Sequence, residues 1–368
     1  MHCKTSNETI TSTQLNCIIA FKNDQKIEMN TKETDILNII LIVISLALAF
    51  KIPFGLLLFS YAFLGPLHYL TEINWLKEKK YFVKDTNWIW LFISLALVLT
   101  IPVLLNLDIF SSFSKVPEIN RGKSFLDNSY DEIFMTSILF AVGLIYFKNK
   151  VHLLLFLIIS SVISVLFLNY FSEYSIFIAV FIPTLIHVFI FTLLFMIYGT
   201  IKSKTTPGII AIILLILVPI IIMLSKINPA DYQDLNEATI TSYLGSSFGT
   251  LNYTIANWFD PINDPSKFML LSILGIKIQI FVAFAYTYHY LNWFSKTSII
   301  RWDKSLSKQK IITILVIWLV SVSIYLYNFK VGFIVLTFLS LIHVFLEFPL
   351  NMTSIKVILG KIKSEFTR

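Results

Sequence analysis

The sequence predicts an all-α, polytopic membrane protein of about ten spanning helices with both termini in the cytoplasm. Three observations carry that reading. Hydrophobic residues make up 56% of the 368 and charged residues 14%, with a mean hydropathy of +0.76; a soluble domain carries roughly 25% charged residues. The apolar residues come in long unbroken runs and not in amphipathic stripes. The basic residues gather in alternate loops, as they do in bilayer proteins.

In chain order, a polar segment, 1–35, comes first and reads as a cytoplasmic tail. It lacks the basic start, apolar core and small-residue cleavage site of a secretory signal. Met29 leads through Asn30, Thr31, Lys32 and Glu33 straight into an apolar run, which marks it as an alternative start. The two cysteines, Cys3 and Cys17, supply neither a disulfide framework nor a thiolate metal site. Ten apolar runs follow, at 36–50, 53–70, 88–107, 132–147, 151–170, 175–199, 208–224, 268–291, 311–328 and 331–350. Some fall short of the ~20 residues a helix needs to cross the hydrocarbon. Lys51-Ile52-Pro53 ties the first two and Phe329-Lys330 the last two, each as a tight hairpin or a broken helix. A basic tail, 351–368, closes the chain.

With the N-terminus inside, 21 of the 29 Lys and Arg fall on cytoplasmic segments and seven on outer ones; Lys277 alone lies within a run. That separation supports an even number of spans and both termini inside. It also accounts for the net charge of +7 without nucleic acid as a partner. Lysine outnumbers arginine 26 to 3, a bias that suggests an AT-rich, bacterial genome and hence the bacterial inner membrane. The largest outer loop, 225–267, carries Asp231, Asp234, Glu237, Asp260 and Asp264, with turns expected at Asn228-Pro229, Asp260-Pro261 and Asp264-Pro265. Residues 234–244 are expected to form a short interfacial helix, and the loop to cap the outer face.

Five of the six histidines, His68, His152, His187, His289 and His343, lie in or at the ends of these runs. Threading places all five in the cytoplasmic half or near the midplane. Intramembrane ionisable groups are costly and mark functional sites. Glu72 follows His68 by four residues and Glu347 follows His343 by four, so each pair shares a helix face. Neutral imidazole is the commonest ligand for Zn, Fe and Cu. A carboxylate beside it serves as a further ligand, as the acceptor of a ring N–H, or as a general base. His68, His187, His289 and His343, on four separate helices, form the expected ligand set, with Glu72 and Glu347 as partners. His152, beside Lys150, is the weakest member. The blander alternatives stay open: a hydrogen bond to a neighbouring helix, or interfacial placement beside Tyr69, Trp75, Tyr290 and Trp293.

Two segments are alike, His68-Tyr69-Leu70 leading to Asn74-Trp75, and His289-Tyr290-Leu291-Asn292-Trp293; the likeness suggests one centre fed from opposite sides. Gly65-Pro66 and Pro183 are expected to kink the helices that carry His68 and His187. Lys277 offers a Schiff-base or anion-binding amine, or a side chain snorkelling under the outer loop. Walker A, GxGxxG, HExxH, clustered-histidine and paired-aspartate diphosphate motifs are missing. Two further readings remain: a haem-binding electron carrier with two of the histidines as axial ligands, and a transporter or assembly protein without catalysis.

Gly65-Pro66-Leu67-His68-Tyr69-Leu70-Thr71-Glu72 resembles the Gly-X-X-His segment, followed by an acid four residues after the His, of the Brp/Blh family of membrane-embedded β-carotene cleavage dioxygenases. Glu72 stands where that family has Asp, and Tyr69 where it has Gly. The likeness covers short patches, and the extra spans and the long outer loop depart from it. The resemblance implies one iron ion held by His68 with His187, His289 and His343, and oxygenation of a long apolar isoprenoid such as a carotenoid.

Overall fold

Runs of Leu, Ile and Phe satisfy their backbone polar groups only within helices when no water is at hand, and the chain folds accordingly. Residues 12–79, 88–260, 269–301 and 306–366 are described by a computed structural model, and no strand occurs among them. Expectations for residues 1–11 and for the two Asp-Pro turns, 260–265, lie wholly or in part outside the described residues.

Helix α1 (Ser12–Lys51) runs through most of the polar lead into the first apolar run without interruption. Helix α2 (Pro53–Phe59) begins on Pro53, whose fixed φ suits a first helical position. A π-helical turn over Ser60–Leu64 joins it to α3 (Gly65–Lys79). Helix α4 (Ile89–Leu104) bends by 89° into the segment Asp108–Ser114, which ends in the short α5 (Ser111–Ser114). Helix α6 (Pro117–Asn128) meets α7 (Tyr130–Tyr146) at 57°. Helix α8 (Lys150–Tyr170) is capped by Asn149, which accepts from the Val151 N–H at 2.8 Å. A π-helix over Phe177–Phe191 contains Pro183 and continues as α9 (Thr192–Ser203). Helix α10 (Thr206–Leu224) follows.

Among its described residues, the long loop 225–267 holds two α-helices, not one. Helix α11 (Glu237–Leu244) falls inside the segment expected to be helical, and α12 (Phe248–Phe259) follows it. Both dock on the bundle. Tyr243 donates to the Gln279 side chain at 2.8 Å, and the Asn252 amide donates to the Gly275 carbonyl at 2.9 Å. Helix α13 (Ile273–Ser295), α14 (Thr297–Ile300), α15 (Lys308–Tyr327) and α16 (Phe329–Phe366) complete the chain. The basic tail is thus largely a continuation of α16.

Among the described residues, seven helices are long and apolar enough to cross a membrane, and up to nine are if each bent pair is one span. The difference from ten is instructive. Helix α13 is 23 residues long but does not meet that apolar test, because Lys277, Gln279, His289 and Asn292 interrupt it. It sits in the middle of the bundle, with sixteen of its residues buried by α1, α2, α12 and neighbouring segments. A helix wrapped in protein has no need of an apolar surface for lipid. Peripheral helices show the reverse pattern. In α8, Ser160 and Ser164 are buried while Leu154, Leu155, Ile158 and Ile159 point outward. Small residues inside and aliphatic residues outside are the arrangement of a multi-pass membrane bundle. Two apolar clusters flank its interior, one around α1, α2, α10 and α13 and the other around α4, α7 and α16.

Candidate metal centre

The polar residues at the junction of those clusters converge on one point. His68 and Glu72 come from α3, immediately after the π turn and Pro66. That break leaves the Phe63 carbonyl to accept from the Trp318 indole at 2.8 Å. His187 comes from the π-helix around Pro183, His289 from α13, and His343 with Glu347 from one face of α16. All six side chains are buried, none more than 7% exposed. His152 stays apart, exposed on the first turn of α8.

The polar atoms meet at 2.9–3.6 Å. His68 Nε2 lies 3.1 Å from His289 Nε2 and 3.2 Å from Glu72 Oε2, and that oxygen lies 3.4 Å from His343 Nδ1. On the other side of the His343 ring, Nε2 lies 2.9 Å from His187 Nε2 and 3.6 Å from Glu347 Oε2, itself 3.2 Å from His187 Nε2. Thr192 positions the His289 ring: its hydroxyl oxygen lies 2.9 Å from the Val188 carbonyl, to which it donates, and 2.8 Å from His289 Nδ1, from which it accepts when that nitrogen carries the proton. In that tautomer the Nε2 lone pair is aimed at the centre, the usual device for orienting a ligating imidazole.

The charge balance points the same way. Glu72 Oε2 and Glu347 Oε2, together with the Nδ1 atoms of His68, His187 and His343, have no hydrogen-bond partner. Two buried carboxylates among lone pairs cost several kcal/mol each unless a cation compensates them. Lys296, half-buried just beyond α13, interacts electrostatically with Asp35 and Glu72; burial pushes its ammonium down to about 8, and the two acids offset this only in part. Among the described residues, two sets of three could hold a metal ion: His68, His289 and His343, and His187, His343 and Glu347. The donor set of imidazoles and carboxylates suits a divalent first-row transition metal.

The repeated segments meet at their histidines, tyrosines and tryptophans. Beside the contact of His68 with His289, the Tyr69 and Tyr290 hydroxyls share a hydrogen bond of 2.8 Å, and the Trp75 and Trp293 rings stack edge-on at 5.6 Å. The Trp293 indole also donates to Thr71 Oγ1 at 3.0 Å, while Thr71 bonds back to the carbonyls of Leu67 and His68. This ties the turn that carries His68 to α13.

A cavity of about 420 Å³ reaches the centre, with His187, His289 and His343 in its wall. Tyr61, Tyr69, Tyr286 and Tyr290 line it, and it extends to Val103 at the end of α4, Asp131 at the start of α7 and Ser247 before α12. These tyrosines and Thr192 went unforeseen in the sequence, although the His-Tyr repeat contains two of them. Lys277 takes no part: its amine donates to the Met223 carbonyl at 2.6 Å, in the last turn of α10, where a cation suits the helix C-terminus. Comparison with family models, with characterised proteins and with solved structures finds no match to this chain.

Proposed function

We propose that the protein is a metal-dependent oxidoreductase, an oxygenase using iron, that acts on a lipophilic substrate within the bilayer. One observation carries this: four histidines and two glutamates, drawn from four segments of an apolar bundle, bring their donor atoms together at the spacing of ligands around an ion. The cavity supports it, since aromatic walls leading to polar donors suit a long apolar molecule that must be oriented. A carotenoid or another isoprenoid, or an acyl lipid, has that character. Iron bound by His68, His187, His289 and His343 would supply O2 chemistry. Cleavage of a polyene C=C by O2 places one oxygen on each carbon and yields two carbonyls, with no other reductant. Glu72 and Glu347 compensate the ion's charge or accept protons from the histidines.

The membrane placement belongs to the same reading. Adding α13 to the nine candidate spans gives ten and both termini on one side; the excess of Lys and Arg there supports the cytoplasm, and the lysine-rich composition supports a bacterial inner membrane. In that orientation the cavity rises from the centre toward the outer leaflet, beneath α11 and α12. A bare ion is favoured over haem. Coaxial haem ligands stand about 4 Å apart, twice a metal–nitrogen bond, whereas these Nε2 pairs lie at 2.9 and 3.1 Å.

Metal analysis of purified protein, joined to an absorption spectrum and to assays with a polyene under O2, tests the proposal. Bound iron without a Soret band, reduced in His187→Ala or His289→Ala, is the expected result. Folded wild-type protein that binds no metal overturns it.

A further inference from the structure

We infer that the centre holds two metal ions, one on each side of the His343 ring; the inference rests on the metal-centre reading above. The donor atoms form two nests, not one. The first comprises His68 Nε2, His289 Nε2, Glu72 Oε2 and His343 Nδ1, with contacts of 3.1, 3.2 and 3.4 Å. The second comprises His187 Nε2, Glu347 Oε2 and His343 Nε2, with contacts of 2.9, 3.2 and 3.6 Å. Bonds of about 2.0–2.2 Å in tetrahedral or octahedral geometry set neighbouring ligand atoms roughly 2.8–3.6 Å apart, and all six distances fall in that range. The only residue common to both nests is His343, and it offers each a different nitrogen. The lone pairs of Nδ1 and Nε2 diverge in the ring plane, so one ion cannot take both. A single ion must leave one nest empty, with its buried carboxylate uncompensated.

Each nest holds one of the two sets of three residues that could bind an ion. His289 of the first and His187 of the second face the cavity beside the shared His343, while Glu72 and Glu347 lie off its wall. When both ions are bound, His343 bridges them as imidazolate, its ring proton having passed to solvent as the second ion enters.

The test is metal stoichiometry in detergent-purified, full-length protein loaded with Fe2+ or Co2+. Two ions per chain are expected, with spins coupled through the ring in the Co2+ form. Glu347→Gln with His187→Gln should leave one ion, and so should Glu72→Gln with His68→Gln. One ion per chain in wild type, lost in either double variant, overturns the second ion but keeps the metal centre. Two ions retained in both double variants would mean surface binding and overturn the inference as well. No ion in folded wild type sinks the metal reading itself. The wild-type count needs no variant to fold.

Discussion

At the scale of single residues, Thr192 illustrates how little need be changed to test the centre. Its oxygen accepts from His289 Nδ1 when that nitrogen carries the proton. Thr192→Val keeps the shape and removes the acceptor, so metal affinity should fall about 10–100-fold with the fold intact, while Thr192→Ser keeps it; competition with a chromophoric chelator measures both. The Tyr69–Tyr290 hydrogen bond lies beside the centre but outside both nests. Tyr290→Phe should cost about 1 kcal/mol of stability, seen as a lower unfolding temperature in detergent, with metal content unchanged. His68, Glu72, His343 and Glu347 were legible because i and i+4 share a helix face. Thr192 was not, because nothing in its local sequence tells of a partner 97 residues away.

At the scale of elements, close approach of helices decides what each glycine tolerates. A Cβ on Gly332 would stand 2.5 Å from the Tyr325 ring and 2.9 Å from its Cα, where α15 and α16 turn back on each other. Gly332→Ala should therefore destabilise by about 1–3 kcal/mol through overpacking. A Cβ on Gly55, in α2, meets nothing within 4 Å. Gly55→Ala should stabilise by roughly 0.5–1 kcal/mol through helix propensity. Thermal unfolding of the two variants side by side checks the contrast. The elements also show where hydropathy reaches its limit. It located α8, α10 and α15, which face outward, and it located α13 only because the run of residues is long. It gave no sign of α12, since burial of Leu251, Asn252 and Ala256 depends on α13 lying beneath them.

At the scale of the molecule, two expectations follow from an apolar bundle closed around a charged centre. Removing the metal should loosen the whole bundle, because each carboxylate then lies in low dielectric without a counter-charge. Chelation should lower the unfolding temperature, and restored ion at a hundred times its Kd should return about 2.7 kcal/mol. The topology is tested by cysteine labelling in a chain whose Cys3 and Cys17 are replaced by serine. Ser172→Cys, between α8 and the π-helix, should react from outside and Lys204→Cys, between α9 and α10, from inside; reaction from the same side would undo the span count.

The sequence by itself determined the class of the molecule and its chemical elements. Long apolar runs dictate membrane helices, because an unpaired backbone group in hydrocarbon is too costly. Four histidines inside those runs, with Glu347 in the last and Glu72 just past the second, demand one another for the same reason. Even the pairing of His68 with His289 was foreshadowed by the repeated His-Tyr-Leu and Asn-Trp. Only the tertiary structure decided how the six are apportioned. The His343 ring is identical on both sides in the sequence. Its setting in α16, with Glu72 and His68 near one nitrogen and His187 and Glu347 near the other, is what makes it a divide between two nests.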